Sequence, residues 1–326
     1  MTGPYAFHLH AAAWLGVLAT GLIYLAAVRR VGQTPRPATA PTRGQWWYLA
    51  GGLLSLAVAL TWPLADLAAH WSLTALLLQR LLLTLAAAPL LLLALPSAVI
   101  AAVTRPAPLD RALEVITRPA VAVVLFTTIA VGTLFTPVVA AQASSSVVRG
   151  VIDVALLFGG GVLWGPVLRH IPGASRPSPV GLAAYLFVQS IVPGFPSVIY
   201  VFARHPLYPA FAHVHTAIGL SPVADQQLAG VVAKVATLPV LWSVAWLALA
   251  RAARDDARGS DSGVLTWAEV ERQLERAERR ERRAPKSRHL PRLPLPPRLD
   301  VPPVTGEPGP ASEPPGSDLP GGTPGS

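Results

Sequence analysis

The sequence has no cysteine, and Met1 is its single methionine. These absences exclude disulfide bonds, thiolate metal sites and thioether copper sites, so any soft-metal chemistry depends on histidine and carboxylate. Charge is also scarce, because Asp, Glu, Lys and Arg make up 13% of the chain while hydrophobic residues make up 52%. So small a polar fraction cannot cover long apolar helices in water, and lipid is therefore the predicted solvent.

Seven long apolar runs account for the hydrophobic excess. Each has about 20 residues or more, which is enough for an α-helix to cross a hydrocarbon core about 30 Å thick. The predicted spans are 6–28, 46–64, 73–103, 119–139, 148–168, 181–202 and 227–250. We therefore predict an all-α, polytopic membrane protein with about seven transmembrane helices.

Arginines mark every second connection between these spans. The connections after the first, third, fifth and seventh spans carry Arg29, Arg30, Arg36, Arg43, Arg105, Arg111, Arg118, Arg169, Arg176, Arg251, Arg254 and Arg258. The other connections contain only Arg204, with Arg149 at the edge of the fifth span. Because cytoplasmic connections are enriched in Lys and Arg, the N-terminus is predicted to lie outside and the C-terminus in the cytoplasm.

The formal net charge of +9 comes mostly from these arginines and from a basic tail. It favours contact with an anionic inner leaflet, so membrane lipids are the predicted partners and nucleic acid is not. Lysine occurs only at Lys234 and Lys286, and this bias towards arginine is typical of a GC-rich bacterial genome. The predicted location is the bacterial plasma membrane, and residues 6–28 are interpreted as a retained anchor, since no clear cleavage site follows them.

Composition divides the chain into a membrane domain and a tail. Residues 1–258 form the predicted membrane domain. Residues 259–284 contain a capping box that begins at Thr266, followed by apolar residues at helical spacing, which predicts a basic amphipathic helix at about 267–283. This helix is either solvated or lies on the anionic inner leaflet. Residues 285–326 are dominated by Pro, Gly and Ser and are predicted to be disordered.

Strongly polar residues within the predicted spans mark a candidate site, because inserting Arg, Lys or Asp at mid-helix costs about 2.5–3.5 kcal/mol. Gln79 and Arg80 lie in the third span, Asp153 in the fifth and Lys234 in the seventh. Arg80 and Asp153 have opposite charges and are predicted to form a structural ion pair; the alternative is a polar site for an ion or a partner. Lys234 lies near a span boundary, where snorkelling explains its charge.

Histidines are concentrated on the predicted outer side, at His8, His10, His70, His205, His213 and His215. The pairs His8/His10 and His213/His215 are the candidate metal ligands, with Asp225 as a candidate oxygen ligand. A His-x-His pair can share one metal where the chain is extended, whereas in a helix its members point about 200° apart. Copper is the favoured ion because imidazole suits it. The alternative is that these are interfacial histidines without a ligand role.

No catalytic signature is present in the sequence. It contains no Gly-rich phosphate loop before a helix, no serine-hydrolase arrangement and no His-Glu-x-x-His zinc motif. The run Gly159–Gly161 lies within the fifth span, where small residues permit close helix packing. We therefore predict that the protein is not an enzyme.

Several short motifs lie in or beside the spans. They are Trp62-Pro63-Leu64-Ala65-Asp66-Leu67-Ala68, Ala88-Pro89-Leu90-Leu91-Leu92-Leu93-Ala94-Leu95-Pro96, Trp164-Gly165-Pro166-Val167, Leu207-Tyr208-Pro209 and, most specific, Asp225-Gln226-Gln227-Leu228-Ala229-Gly230. Over about 40–250 the chain thereby resembles the cytochrome c oxidase assembly factors of the CtaG type. The resemblance implies a polytopic protein of the bacterial plasma membrane that acts in maturation of the haem–copper oxidase. It also implies oxidase subunits as partners and copper as a cargo.

The chain departs from this family where the resemblance implies metal ligands. The family's His-Met-x-Gln-His in the third span reads here Leu76-Leu77-Leu78-Gln79-Arg80. Its Glu-His in the fifth span corresponds to Ile152-Asp153, and its Met-Trp after the Asp-Gln-Gln run corresponds to Ala233-Lys234. A polar cluster of Gln79, Arg80, Asp153 and Lys234 therefore replaces the implied metal centre.

Two functions follow from these observations. The first is an accessory factor for the assembly or maturation of a respiratory cytochrome c oxidase, with a link to copper handling. The alternative is a membrane transporter or ion-conducting protein that uses Gln79, Arg80 and Asp153 as a polar path. A purely structural membrane protein is a third interpretation.

Overall fold

The computed structural model describes residues 7–32, 40–104, 106–168, 174, 177–212 and 219–263. The described residues form helices joined by turns, without a β-strand, which confirms the predicted all-α class. The predicted amphipathic helix and the tail beyond it lie outside the described residues.

Within these ranges the chain forms thirteen α-helices. They are α1 (Ala11–Gly32), α2 (Arg43–Leu60), α3 (Leu64–His70), α4 (Leu73–Leu81), α5 (Ala88–Ala94), α6 (Ser97–Val103), α7 (Ala107–Ile116), α8 (Pro119–Gly132), α9 (Thr136–Ser144), α10 (Ser146–Trp164), α11 (Pro179–Ile191), α12 (Phe195–Phe202) and α13 (Pro222–Gly263). A π-helical segment, Leu82–Ala87, joins α4 to α5, and a short 3₁₀ turn covers Pro209–Phe211.

Six helical segments of the described chain are long and apolar enough to cross a membrane. They are Ala11–Gly32, Arg43–His70, Leu73–Ala94, Ser146–Trp164, Pro179–Phe202 and Pro222–Ala257. The protein is therefore a multi-pass membrane protein. The third span is shorter than predicted, because Leu95 is extended before Pro96 and α6 begins anew after it. Proline disfavours helical geometry in the residue that precedes it.

The predicted fourth span, 119–139, is the irregular one. Its first helix, α8, has 14 residues and is about 21 Å long at the rise of an α-helix, less than a hydrocarbon core; α9 begins at Thr136, after a break. Helix α8 is bent by 81° from α7, and the count reaches seven only if this bent pair is one span. The structure thus supports six or seven spans.

Helix α10 packs closely against the π-helical segment. A Cβ at Gly160 would lie 2.6 Å from the Cβ of Ala88 and 2.9 Å from the Cα of Thr84, so only glycine fits. Trp164 donates its indole N–H to the carbonyl oxygen of Thr84 at 2.9 Å. The close-packing role predicted for the glycine run is confirmed at this position.

Orientation can be tested cleanly because the chain has no native cysteine. From the arginine asymmetry we expect a cysteine introduced by Thr2→Cys to react with a membrane-impermeant maleimide in intact cells. One introduced by Ser260→Cys should react only after permeabilisation. Labelling of both from the same side would eliminate an odd number of spans and would leave α7 and α8 as a non-spanning pair.

Candidate functional site

The Asp225-Gln226-Gln227 run lies near the start of α13, with Asp225 in the first turn, and local sequence places it there. Ser221 accepts a hydrogen bond on its Oγ from the N–H of Ala224, at 3.3 Å, and Pro222 occupies the first helical position. Serine before a helix and proline at its first position are typical of a helix start. We call Asp225, Gln226 and Gln227 the α13 clamp.

Asp225 joins the beginnings of two helices. Its Oδ1 accepts from the hydroxyl of Ser72 at 2.8 Å, and its Oδ2 accepts from the backbone N–H of Leu73 at 2.6 Å. Thr74 donates its hydroxyl to the Asp225 carbonyl at 2.9 Å. The side chain is buried, at 3% exposure. One carboxylate thus neutralises the positive ends of both α4 and α13.

The two glutamines of the α13 clamp hold the preceding connection. Gln226 accepts from the backbone N–H of Leu207 at 2.8 Å and donates to the carbonyl of His205 at 3.3 Å. Gln227 donates to the carbonyl of Ala203 at 3.3 Å. The clamp therefore fixes the chain that follows α12, which contains the Leu-Tyr-Pro motif.

Gly230 lies one turn beyond the clamp, where α12 crosses α13. A Cβ at this position would lie 2.5 Å from the carbonyl oxygen of Ser197 and 2.8 Å from a methyl carbon of Val201. The family motif therefore ends in the glycine that lets the two helices touch.

Arg80 caps the C-terminal end of the short helix α8. Its Nη1 donates to the hydroxyl of Thr133 at 2.6 Å, and its Nη2 donates to the carbonyl of Thr133 at 2.9 Å. Nη2 also lies 3.2 Å from the side-chain oxygen of Gln142. The last carbonyls of a helix lack partners within it and carry partial negative charge, so a guanidinium is a suitable cap.

Tyr208 assists at the same end of α8. Its hydroxyl donates to the carbonyl of Leu134 at 2.8 Å and lies 2.6 Å from the hydroxyl of Tyr200. Burial raises the pKa of Tyr208, so its phenol stays protonated and can donate. Distant residues thus satisfy the carbonyls that a helix of this length would leave exposed.

The predicted ion pair between Arg80 and Asp153 does not form. Asp153 makes no salt bridge among the described residues and lines a cavity of about 490 Å³ together with His10, Gln79 and Arg149. The prediction was wrong because neutral acceptors at the end of α8 compete successfully for the guanidinium. Gln79 has a buried amide nitrogen without a hydrogen-bond partner in the described structure.

Lys234 faces a second cavity, which Arg80 also lines. Its Nζ lies 3.5 Å from the carbonyl of Ser190, the limit of a hydrogen bond. The four predicted polar residues therefore divide between two neighbouring cavities, with Gln79 and Asp153 on one and Arg80 and Lys234 on the other.

The first histidine pair converges on a carboxylate that sequence reasoning did not select. His8 Nδ1 lies 3.4 Å from Asp66 Oδ2, and His10 Nε2 lies 3.1 Å from Asp66 Oδ1. The available signal was the position of Asp66 in the motif that begins at Trp62. His213 and His215 lie outside the described residues.

The arrangement differs from the predicted metal site in two respects. Asp225 is not an open oxygen ligand, since both of its carboxylate oxygens accept hydrogen bonds from α4 and the residue before it. Across the described ranges, no group of three or more His, Asp or Glu side chains has a geometry that could hold a metal ion.

Comparison with known proteins identifies a family. No curated protein and no solved structure matches the chain. The family model described as cytochrome c oxidase caa3 assembly factor matches residues 22–255 of the 326-residue chain. The matched part includes the α13 clamp, Gly230 and all four intramembrane polar residues. The chain belongs to the family of cytochrome c oxidase caa3 assembly factors.

Proposed function

We propose that the protein is a non-catalytic accessory factor in the bacterial plasma membrane, and that it acts in cytochrome c oxidase maturation by contacting oxidase subunits within the membrane plane. The family match over residues 22–255 carries this proposal. The α13 clamp supports it, because the most specific family motif here organises three segments of the fold. A motif with this role preserves a shared architecture even where the metal ligands differ.

The intramembrane site of this chain is unsuited to a cation. Leu76 is buried in an apolar cluster, and the Arg80 guanidinium is committed to the end of α8. A fixed positive charge repels an arriving metal ion. The proposed copper handling therefore needs other residues.

We assign the copper part of the proposal to His8, His10 and Asp66. The His8 side chain is 51% exposed, whereas those of His10 and Asp66 are 21% and 15% exposed, so the group is accessible from one side. Two imidazoles and a carboxylate are a chemically suitable donor set for copper. Because no three described side chains are placed to hold a metal ion together, these groups must rearrange to bind copper, and the expected binding is weak.

Titration of the purified full-length protein with Cu²⁺ tests this assignment. We expect weak binding that the double variant His8→Ala/His10→Ala abolishes, because only the carboxylate then remains. His205→Ala is the control and should bind as the wild type does. The double variant His213→Ala/His215→Ala shows whether the other predicted pair contributes. Equal binding by wild type and both double variants would place copper elsewhere and refute the assignment.

Two further measurements separate the accessory role from the transport alternative. An affinity-tagged chain, solubilised in mild detergent, should co-purify with oxidase subunits if it acts during assembly. Reconstituted vesicles should show uptake or conductance if it is a transporter. Transport without recovery of oxidase subunits would favour the alternative.

A further inference from the structure

A small cavity lies among α4, α8, α11 and α13, with a volume of about 90 Å³. Leucine is its commonest lining residue, and its polar lining includes Arg80, Lys234, Gln189, Ser190 and Ser197. Two of these side chains are cations, and no carboxylate lines the cavity among the described residues. The cavity wall is therefore mostly apolar, and its polar part carries two positive charges and neutral hydroxyl and amide groups.

Both cations have donors that the protein leaves unused. Arg80 is 6% exposed, and its Nε is buried without a hydrogen-bond partner although both terminal nitrogens are bonded. The Lys234 ammonium has three N–H groups, and its contact within the described structure is the 3.5 Å approach to the Ser190 carbonyl. The cavity thus presents hydrogen-bond donors on two positive groups.

Among the described residues, neither cation forms a salt bridge with an acid. Asp153 lines the neighbouring cavity and forms no salt bridge with Arg80. Two cations that face one largely apolar cavity repel each other more strongly than they would in water. An anion between them would offset this repulsion and would accept the donors that the protein leaves unused.

We propose that this cavity binds one small, singly charged anion, a halide or the carboxylate of a small acid, between the Nε–H of Arg80 and the ammonium of Lys234. The volume accommodates such an anion and about one or two waters, since each water takes about 30 Å³ in the liquid. A water beside the anion would donate to the Oε1 of Gln189, which is buried and unpartnered in the described structure. The apolar wall disfavours doubly charged, strongly hydrated anions such as sulfate.

This site is independent of the proposed copper handling. It binds the opposite charge, and it involves none of His8, His10 and Asp66. Its two charges come from different spans, Arg80 from the third and Lys234 from the last, and both line the same cavity.

The experiment uses the full-length protein in lipid nanodiscs. Thermal unfolding is followed at constant ionic strength while sodium gluconate, whose anion is too large for the cavity, is exchanged for sodium chloride or sodium acetate. A ligand that binds only the folded state raises its melting temperature in a saturable way. We expect this rise with chloride or acetate, and chloride binding is checked independently from the broadening of the ³⁵Cl resonance.

Lys234→Gln is the decisive variant, because it removes a charge while leaving the cap on α8 intact. The affinity for the anion should fall about tenfold or more when one charge-assisted hydrogen bond is lost. Arg204→Gln removes an exposed arginine and should leave the affinity unchanged. Tighter binding of chloride would identify the ligand as a halide, and tighter binding of acetate would identify it as a carboxylate. Stabilisation by gluconate equal to that by both small anions, or unchanged affinity in Lys234→Gln, would overturn the proposal.

Discussion

Replacing Asp225 with alanine is expected to lower the free energy of unfolding by about 3–5 kcal/mol. The buried carboxylate accepts from the Ser72 hydroxyl and from the Leu73 N–H, and both donors lose their partner in the variant. The loss also removes the negative charge that the beginnings of α4 and α13 share. The third span and the last span should therefore separate more easily at this end.

Denaturant unfolding of purified protein in detergent measures this effect. Asp256→Ala is a matched control, since Asp256 is an exposed acid of the same helix and its replacement should change stability by less than about 0.5 kcal/mol. If the two variants were equally stable, the clamp would not hold the two helices together.

Gly230→Ala is the second substitution with a large expected effect. Its new methyl group would lie 2.5 Å from the Ser197 carbonyl oxygen, which belongs to the backbone of α12 and cannot rotate away. We expect α12 and α13 to move apart and the free energy of unfolding to fall by about 1–3 kcal/mol, the usual range for overpacking. Anchoring of the chain between α12 and the clamp should weaken as well.

Gly161→Ala is the control for this substitution. A Cβ at Gly161, within α10, meets no atom within 4 Å. Alanine has the higher helix propensity, so this variant should be as stable as the wild type or slightly more stable. Equal melting temperatures for both variants would mean that α12 and α13 do not require contact at Gly230.

The membrane architecture was predictable because its signal is local. A run of about 20 apolar residues has few alternatives to a membrane helix. The close approach at Gly160 was also predictable in kind, since small residues in a span favour helix contact. The third span was predicted too long because the prediction followed the unbroken apolar run from 73 to 103. It gave too little weight to Pro96, which disfavours helical geometry at Leu95.

The early end of α8, the short helix in the predicted fourth span, was not predictable from its own residues. The carbonyls of Thr133 and Leu134, which directly follow α8, accept from Arg80 and Tyr208, 53 and 74 residues away along the chain. Hydropathy treats 119–139 as one run because it contains no information about such distant caps. The helix can end early because side chains from other parts of the fold donate the hydrogen bonds that a longer helix would have supplied from its own backbone.

The sequence identified the polar residues of the candidate site but not the hydrogen bonds that they form. Arg80 and Asp153 were paired because opposite charges attract, yet Thr133 and Gln142 provide the acceptors that Arg80 uses. A prediction based on charged residues alone does not consider neutral hydrogen-bond acceptors. The role of Asp225 was hidden for a similar reason, because Ser72 is 153 residues distant.

The most direct test of the assembly role is a deletion strain assayed for assembled cytochrome c oxidase, with and without added copper. We expect the deletion to reduce the haem absorbance of the assembled oxidase and its activity in membranes, and we expect the full-length gene to restore both. Partial rescue by added copper would locate the defect in copper supply, whereas no rescue would locate it in subunit assembly. Normal amounts of active oxidase in the deletion strain under both conditions would contradict the proposed function.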